Sequence, residues 1–243
     1  MWMRLTDPAV AEIVDMLGLD WVAIDSEHVA YDLQTLQMLV MLLRDTPTLI
    51  RVPGNDAIHI KRILDLGAAG VIVPHVYSAE EARRAVAATK YPPVGIRGTG
   101  PRRPGRYGDM EGEYLASAND VTVATIMVET VGAVEAIDEI VTIPGLDAIM
   151  IGAVDLSASM GLLPKFDDPR VTEAIDRVIA SAKGAGIARI SGRAPNPKDP
   201  TDAWTLRGLL RQGLNAIPIT SDESLIKDGV RAALREFREV GER

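Results

Sequence analysis

The chain has no cysteine among its 243 residues and few aromatic side chains: three Trp, five Tyr and two Phe, or 4%. Without cysteine there is no disulfide framework, no thiolate metal site and no thiol nucleophile. So few rings make a poor platform for the bases of single-stranded nucleic acid. Basic residues are also in the minority, with 26 Lys+Arg against 34 Asp+Glu and a formal charge of −8. That balance argues against general affinity for nucleic acid or anionic lipid. No apolar run approaches the ~20 residues that cross a bilayer. The apolar start Met1-Trp2-Met3-Arg4-Leu5 meets Asp7 at once, unlike a signal peptide. A cytoplasmic protein is therefore expected.

The hydrophobic share of 47% is that of a globular protein. A domain of roughly 250 residues buries about three quarters of its unfolded surface, a size that suits one α/β barrel or two smaller domains. An internal repeat separates these. The chain repeatedly writes Gly, two residues and a short apolar run: Gly18 before Trp21–Ile24, Gly67 before Gly70–Val73, Gly145 before Ala148–Ile151, and Gly213 before Ala216–Ile219. Glycine ends a helix in the left-handed conformation. A run apolar on both faces suits a parallel strand covered on both sides. The pattern predicts strands near residues 2–5, 21–25, 48–52, 70–74, 122–128, 147–151, 187–191 and 215–219, with amphipathic helices between. Asp7-Pro8, Ser78 and Asp168-Pro169 open three of those helices. Alternation of this kind gives parallel pairing and a (β/α)8 barrel. An open doubly wound sheet is the runner-up, disfavoured by the absence of Gly-x-Gly-x-x-Gly after an early strand. Pro218 fits poorly inside a strand, because it lacks a ladder donor. No linker divides the chain, so residues 1–243 are expected to form one domain.

Barrel enzymes place their chemistry at the carboxyl ends of the strands. Asp25, Ser26, Glu27 and His28 follow strand two, Arg51 lies in strand three, His75 follows strand four, Glu129 ends strand five, and Asp155 follows strand six. Glu129 and Asp155 could together hold a hard divalent ion, magnesium or manganese, or could serve only as cap and surface residues. His28 lies three residues after Asp25, within reach of a carboxylate that would orient it as a general base. His75 has no evident partner and reads as a surface residue, and His59 lies within a helical stretch. Arg51 within an apolar strand is costly unless paired: it could form a structural ion pair with Glu27 or Asp25, or a cation there could bind a carboxylate or an enolate oxygen. The arginines at 97, 102, 103 and 106 make a locally basic loop, either solvated or a flap that draws in an anion.

These residues resemble the HpcH/HpaI aldolase/citrate lyase family, the metal-dependent class II pyruvate aldolases. The resemblance is carried by Asp20-Trp21-Val22-Ala23-Ile24-Asp25-Ser26-Glu27-His28, Arg51-Val52-Pro53, Leu64–Pro74, Gly95-Ile96-Arg97-Gly98, Val128-Glu129-Thr130 and Ile151–Gly161. It covers roughly residues 2 to 165, and more faintly Asn215 to Asp222. It implies a (β/α)8 barrel of the phosphoenolpyruvate/pyruvate type and a carbon–carbon lyase acting on 4-hydroxy-2-oxo acids through a pyruvate enolate. It also implies a divalent metal (magnesium or manganese, with cobalt a third candidate) on Glu129 and Asp155. Arg51 would stabilise the enolate, the His28–Asp25 pair would move protons, and backbone amides around Val154 and Asp155 would hold the substrate carboxylate. The partners implied are pyruvate and an aldehyde. The resemblance further implies a hexamer in which a C-terminal helix, here about 221–240, is exchanged between neighbours. An oxaloacetate decarboxylase at the same enolate site, and a non-catalytic barrel, are the alternatives. Met127 stands where many members carry glutamine, and residues 190–205 do not match clearly.

Overall fold

The computed structural model describes residues 1–199 and 201–241. Among them the strands are β1 (Trp2–Met3), β2 (Val22–Asp25), β3 (Thr48–Arg51), β4 (Gly70–Val73), β5 (Val123–Val128), β6 (Ala148–Ile151) and β7 (Ala188–Ser191). All pair in parallel and in sequence order. A doubly wound sheet would reverse its order part-way, so the runner-up topology is excluded. The helices are α1 (Pro8–Asp15), α2 (Leu33–Leu42), α3 (Ala57–Asp65), α4 (Ala79–Thr89), α5 (Glu111–Val121), α6 (Val131–Glu135), α7 (Ile137–Ile140), α8 (Ala153–Ser159), α9 (Pro169–Gly184), α10 (Leu206–Gln212) and α11 (Asp222–Gly241). No described helix is long and apolar enough to cross a membrane.

The repeat has the cause the sequence suggests. Gly18, Gly67, Gly145 and Gly213 all have positive φ, between 67° and 102°, so each reverses the chain between helix and strand. Asp7, Ser78 and Asp168 accept hydrogen bonds from the first-turn amides of α1, α4 and α9.

The eighth strand differs from expectation. Residues 215–219 make no regular strand, but this segment still closes the ring. Ala216 bridges Ile190 of β7, and Ser221 bridges Trp2 of β1, both in parallel. Pro218 lies between the two bridges and cannot donate to either neighbour. Likewise β1 is two residues long, because the amides of Arg4 and Leu5 turn away to donate to Asp222 Oδ2 at 2.8 and 2.9 Å. The result is a (β/α)8 barrel closed by bridges at one seam.

The strands are apolar on both faces because they divide two cores. Val22, Ile24, Ile50, Val71, Val73, Ile126, Val128, Ile149 and Ile151 face the helices. Trp2, Ala23, Leu49, Ile72, Met127, Ala148, Met150 and Ile190 fill the barrel interior. Side chains alternate along a strand. The next inward positions beyond Ala23, Leu49, Met127 and Met150 are Asp25, Arg51, Glu129 and Gly152. Among the described residues the charged side chains of these strands therefore enter the barrel at its carboxyl end, while Thr125 is a buried neutral polar residue between Val123 and Met127.

Candidate active site

Asp25 and Arg51 are direct register partners on β2 and β3. Arg51 donates from Nε to Asp25 Oδ1 at 3.0 Å and from Nη2 to Oδ2 at 2.6 Å. Arg4 adds a bond from Nε to Asp25 Oδ2 at 3.2 Å. The amides of Glu27 and His28 donate to Asp25 Oδ1, each at 3.3 Å. Burial alone would push the Asp25 carboxyl up. The bonds and charge of Arg51, with the His28 amide and Arg4, outweigh burial and hold it below the usual carboxylate range. Arg51 is also clamped from the other side: its Nη1 lies 3.1 Å from Glu27 Oε2, and Trp2 stacks 4.9 Å from its guanidinium carbon. The remaining Nη1 contact is to the Met127 sulfur at 3.8 Å, a weak acceptor. A guanidinium has five N–H groups, so this one is fixed in place and keeps donors for a ligand.

The histidines are arranged differently from the sequence expectation. The His28 ring does not meet Asp25. Its Nε2 lies 3.7 Å from Glu27 Oε2, and the side chain is 63% exposed. Asp25 is already saturated by Arg51, Arg4 and loop amides, so it orients His28 only through the backbone. His75, which lacked a partner in the sequence, has two. Its Nε2 lies 2.8 Å from Glu27 Oε1, and its Nδ1 lies 3.8 Å from Glu129 Oε1. Glu27 thus joins Arg51, His28 and His75. Sequence reasoning offered Glu27 only as an ion-pair partner of Arg51 and left His75 out of the site. No sequence pattern announces the positive φ of His75, 55°, the conformation in which its amide donates to Glu129. His59 is exposed on α3 beside Asp56, away from this cluster.

Glu129 is 2% exposed. Its Oε1 accepts the His75 amide at 2.7 Å. Burial raises its pKa, the His75 amide opposes this, and the negative charges of Asp155 and Glu27 push it higher again. Gly152 makes room for it: a Cβ there would lie 2.6 Å from Glu129 Cβ and 2.7 Å from its Oε2. Asp155 is exposed in the first turn of α8, which carries no side-chain cap. Glu129 and Asp155 are oxygen donors of the kind a hard divalent cation takes, and the charge of Asp155 acts on buried Glu129. No group of three or more His, Asp or Glu suited to a metal forms among the described residues. Glu129 and Asp155 would therefore leave most of the coordination shell to water and substrate.

The first arginine of the basic loop is not solvated. Arg97 is buried, bonded from Nη2 to Asp65 Oδ1 at 2.8 Å and packed 4.4 Å from the Tyr91 ring. It anchors the segment, whereas Arg102 and Arg106 stand exposed.

The family profile of the HpcH/HpaI aldolase/citrate lyases matches residues 1–225. The chain belongs to the HpcH/HpaI aldolase/citrate lyase family. It is 34% identical over 241 residues to the 4-hydroxy-2-oxo-heptane-1,7-dioate aldolase of Salmonella typhimurium, covering 98% of this chain and 89% of the relative. It is equally 34% identical to the hydroxypyruvate/pyruvate aldolase of Roseovarius nubinhibens, covering 98% and 91%. A solved HpcH/HpaI family structure from Burkholderia cenocepacia superposes with a TM-score of 0.89 at 30% identity, covering 98% of this chain and 93% of the other. Membership makes the protein an aldolase-type lyase on the barrel described above.

Proposed function

We propose that this lyase cleaves and forms 4-hydroxy-2-oxo acids through the enolate of pyruvate. The observation that carries the reading is the clamped Arg51: a buried cation fixed by Asp25, Glu27 and Trp2 at the carboxyl end of the barrel, with donors to spare. In cleavage, a base takes the proton of the C4 hydroxyl and the C3–C4 bond breaks. The electron pair passes into the enolate, whose C2 oxygen Arg51 meets with a preorganised N–H. A proton then returns to C3, giving pyruvate. His28 is the proton carrier, exposed at the mouth with Glu27 beside it. The first-turn amides of α8 around Val154 and Asp155, which no side chain caps, are placed to receive the substrate carboxylate. Glu129 and Asp155 would hold a divalent cation, magnesium or manganese, which when bound supplies further stabilisation of the enolate oxygen.

The single domain over 1–243 and its assembly belong to the same reading. Leu225, Ile226, Val230, Leu234 and Phe237 form an exposed apolar stripe along α11, and Asp222 ties the helix start to β1. The family resemblance supports exchange of this helix between copies in a hexamer acting in the cytoplasm.

The test is pyruvate release from 4-hydroxy-2-oxo acids, with and without EDTA. Loss of activity on chelation and recovery with magnesium or manganese is expected. Activity that ignores the chelator and survives Glu129→Ala would overturn the metal assignment. Oxaloacetate decarboxylation assayed in parallel separates the neighbouring chemistry.

A further inference from the structure

Arg4 lies two residues beyond Trp2, whose side chain fills the barrel interior. On β2, β3 and β5 the position two beyond an interior residue belongs to Asp25, Arg51 and Glu129. Arg4 takes that place for β1. Its Nε donates to Asp25 Oδ2 at 3.2 Å, the same oxygen that accepts Arg51 Nη2 at 2.6 Å. The Trp2 ring serves both cations, with its centre 5.7 Å from the Arg4 guanidinium carbon and 4.9 Å from that of Arg51. The two arginines therefore share one carboxylate oxygen and one aromatic ring. They differ in access to solvent: the Arg51 side chain is 8% exposed and that of Arg4 33%.

The root of α11 holds Arg4 from its other side. The Arg4 amide donates to Oδ2 of buried Asp222 at 2.8 Å, and the Leu5 amide joins it at 2.9 Å. Arg4 Nη1 lies 3.7 Å from Glu223 Oε2. The Tyr31 hydroxyl donates to Leu5 O at 3.1 Å. These bonds tie down the chain where β1 ends and leave the Arg4 side chain beside Asp25.

Charge shows what Arg4 supplies. Arg51 touches two carboxylates, Asp25 at 2.6 Å and Glu27 at 3.1 Å. With uncharged histidines, those three groups sum to one negative charge. That sign opposes the approach of pyruvate, an anion, and the growth of negative charge on an enolate oxygen. Arg4 brings the set to neutrality, and it does so at a carboxylate that is fully buried, where a charge is screened little. An exposed ion pair would add little. Here the partner is the group that orients Arg51, so the N–H groups Arg51 keeps for a ligand face outward from a balanced clamp.

We propose that Arg4 is a positioning residue for the lyase reaction: acting through Asp25, it offsets the second carboxylate on Arg51 and keeps that guanidinium aimed at the enolate oxygen. The proposal rests on the enolate reading. It adds a residue that stands outside the motifs carrying the family resemblance.

Exchange of the pyruvate methyl protons with deuterium, followed by NMR in the presence of magnesium, reads enolate formation without any aldehyde. Arg4→Gln keeps a stem and a neutral donor but loses the charge. It is expected to lower kcat for exchange about tenfold, the low end for losing a charge-assisted hydrogen bond. KM for pyruvate should change little, because the enolate charge develops only on the way to the transition state. Arg4→Lys restores the charge and should recover most of the rate. Arg4→Ala leaves a gap open to solvent, and millimolar guanidinium chloride should rescue its exchange where potassium chloride does not. The glutamine and lysine variants carry the test if the alanine variant does not fold. A loss that neither lysine nor guanidinium ion recovers would reduce Arg4 to a structural tie and overturn the proposal, as would undiminished exchange in Arg4→Gln. A wild type that exchanges no methyl proton would overturn the enolate reading itself, and the role of Arg4 with it.

Discussion

Asp25 and Arg51 face each other across adjacent strands and meet through two hydrogen bonds, Nε to Oδ1 at 3.0 Å and Nη2 to Oδ2 at 2.6 Å. Both side chains are buried, so each depends on the other. Removing one leaves a buried charge without its main partner, a loss of about 3–5 kcal/mol. Arg51→Met should lower the unfolding free energy in urea by that order and abolish turnover. The effect has a pH signature. The Asp25 carboxyl is held below its ordinary value, so its stabilisation is present above the unfolded-state pKa and is lost as pH falls through the folded one. The gap between wild type and variant should therefore narrow in acid. A gap that widens there would contradict the pairing.

Glu129 has the opposite sign. Its folded pKa lies above the ordinary value because it is buried, with Asp155 and Glu27 nearby. The unfolded chain releases this proton first, so stability falls as pH rises from the unfolded pKa through the folded one. Glu129→Gln should consequently raise the melting temperature at neutral pH and change it little near pH ~3, where the carboxyl is protonated in both states. Magnesium or manganese should stabilise the wild type and leave the variant unmoved. A wild type whose melting point ignores both ions would remove the case for a cation here.

The site was legible where chemistry follows strand periodicity and obscure where it follows loop conformation. Asp25, Arg51 and Glu129 stand at strand ends, and a period of two carries them inward from Ala23, Leu49 and Met127. Arg51 was readable as paired because a charge inside Leu49-Ile50 and Val52 must be compensated. His75 was not, since its contacts with Glu27 and Glu129 depend on a φ of 55° that its residue type does not announce. The expected Asp25–His28 side-chain pair gave way because a strand partner, Arg51, held both Asp25 oxygens. The fold followed the same division. Four glycines and the apolar runs after them announced the barrel, whereas Pro218 reduced the eighth strand to bridges.

Gly152 is a steric requirement of Glu129. Its backbone is unstrained for other residues, with φ −98°, but a methyl group would press on both Glu129 Cβ and Oε2. Gly152→Ala should cost about 1–3 kcal/mol through overpacking. The larger effect should be on function. Divalent-ion affinity measured by calorimetry should fall along with kcat, while the unfolding transition stays cooperative. Unchanged ion binding would mean that Glu129 tolerates the displacement and that its present position is not required.

The last helix makes the assembly testable without reference to activity. Leu225, Ile226, Val230, Leu234 and Phe237 stand between 46 and 76% exposed along α11, and the spacings of four, four and three from Ile226 to Phe237 put the last four on one face. Contiguous exposed apolar area of this kind is uncommon on a monomer. With a second copy covering the stripe, Leu234→Glu combined with Phe237→Glu should place charge in the interface and shift sedimentation from the assembly to smaller species. Arg235→Glu, on the opposite side of the helix from the stripe, should leave it intact. A wild type that sediments as a monomer across micromolar concentrations would refute the exchange of α11, and residues of one copy could then not shape the site of another.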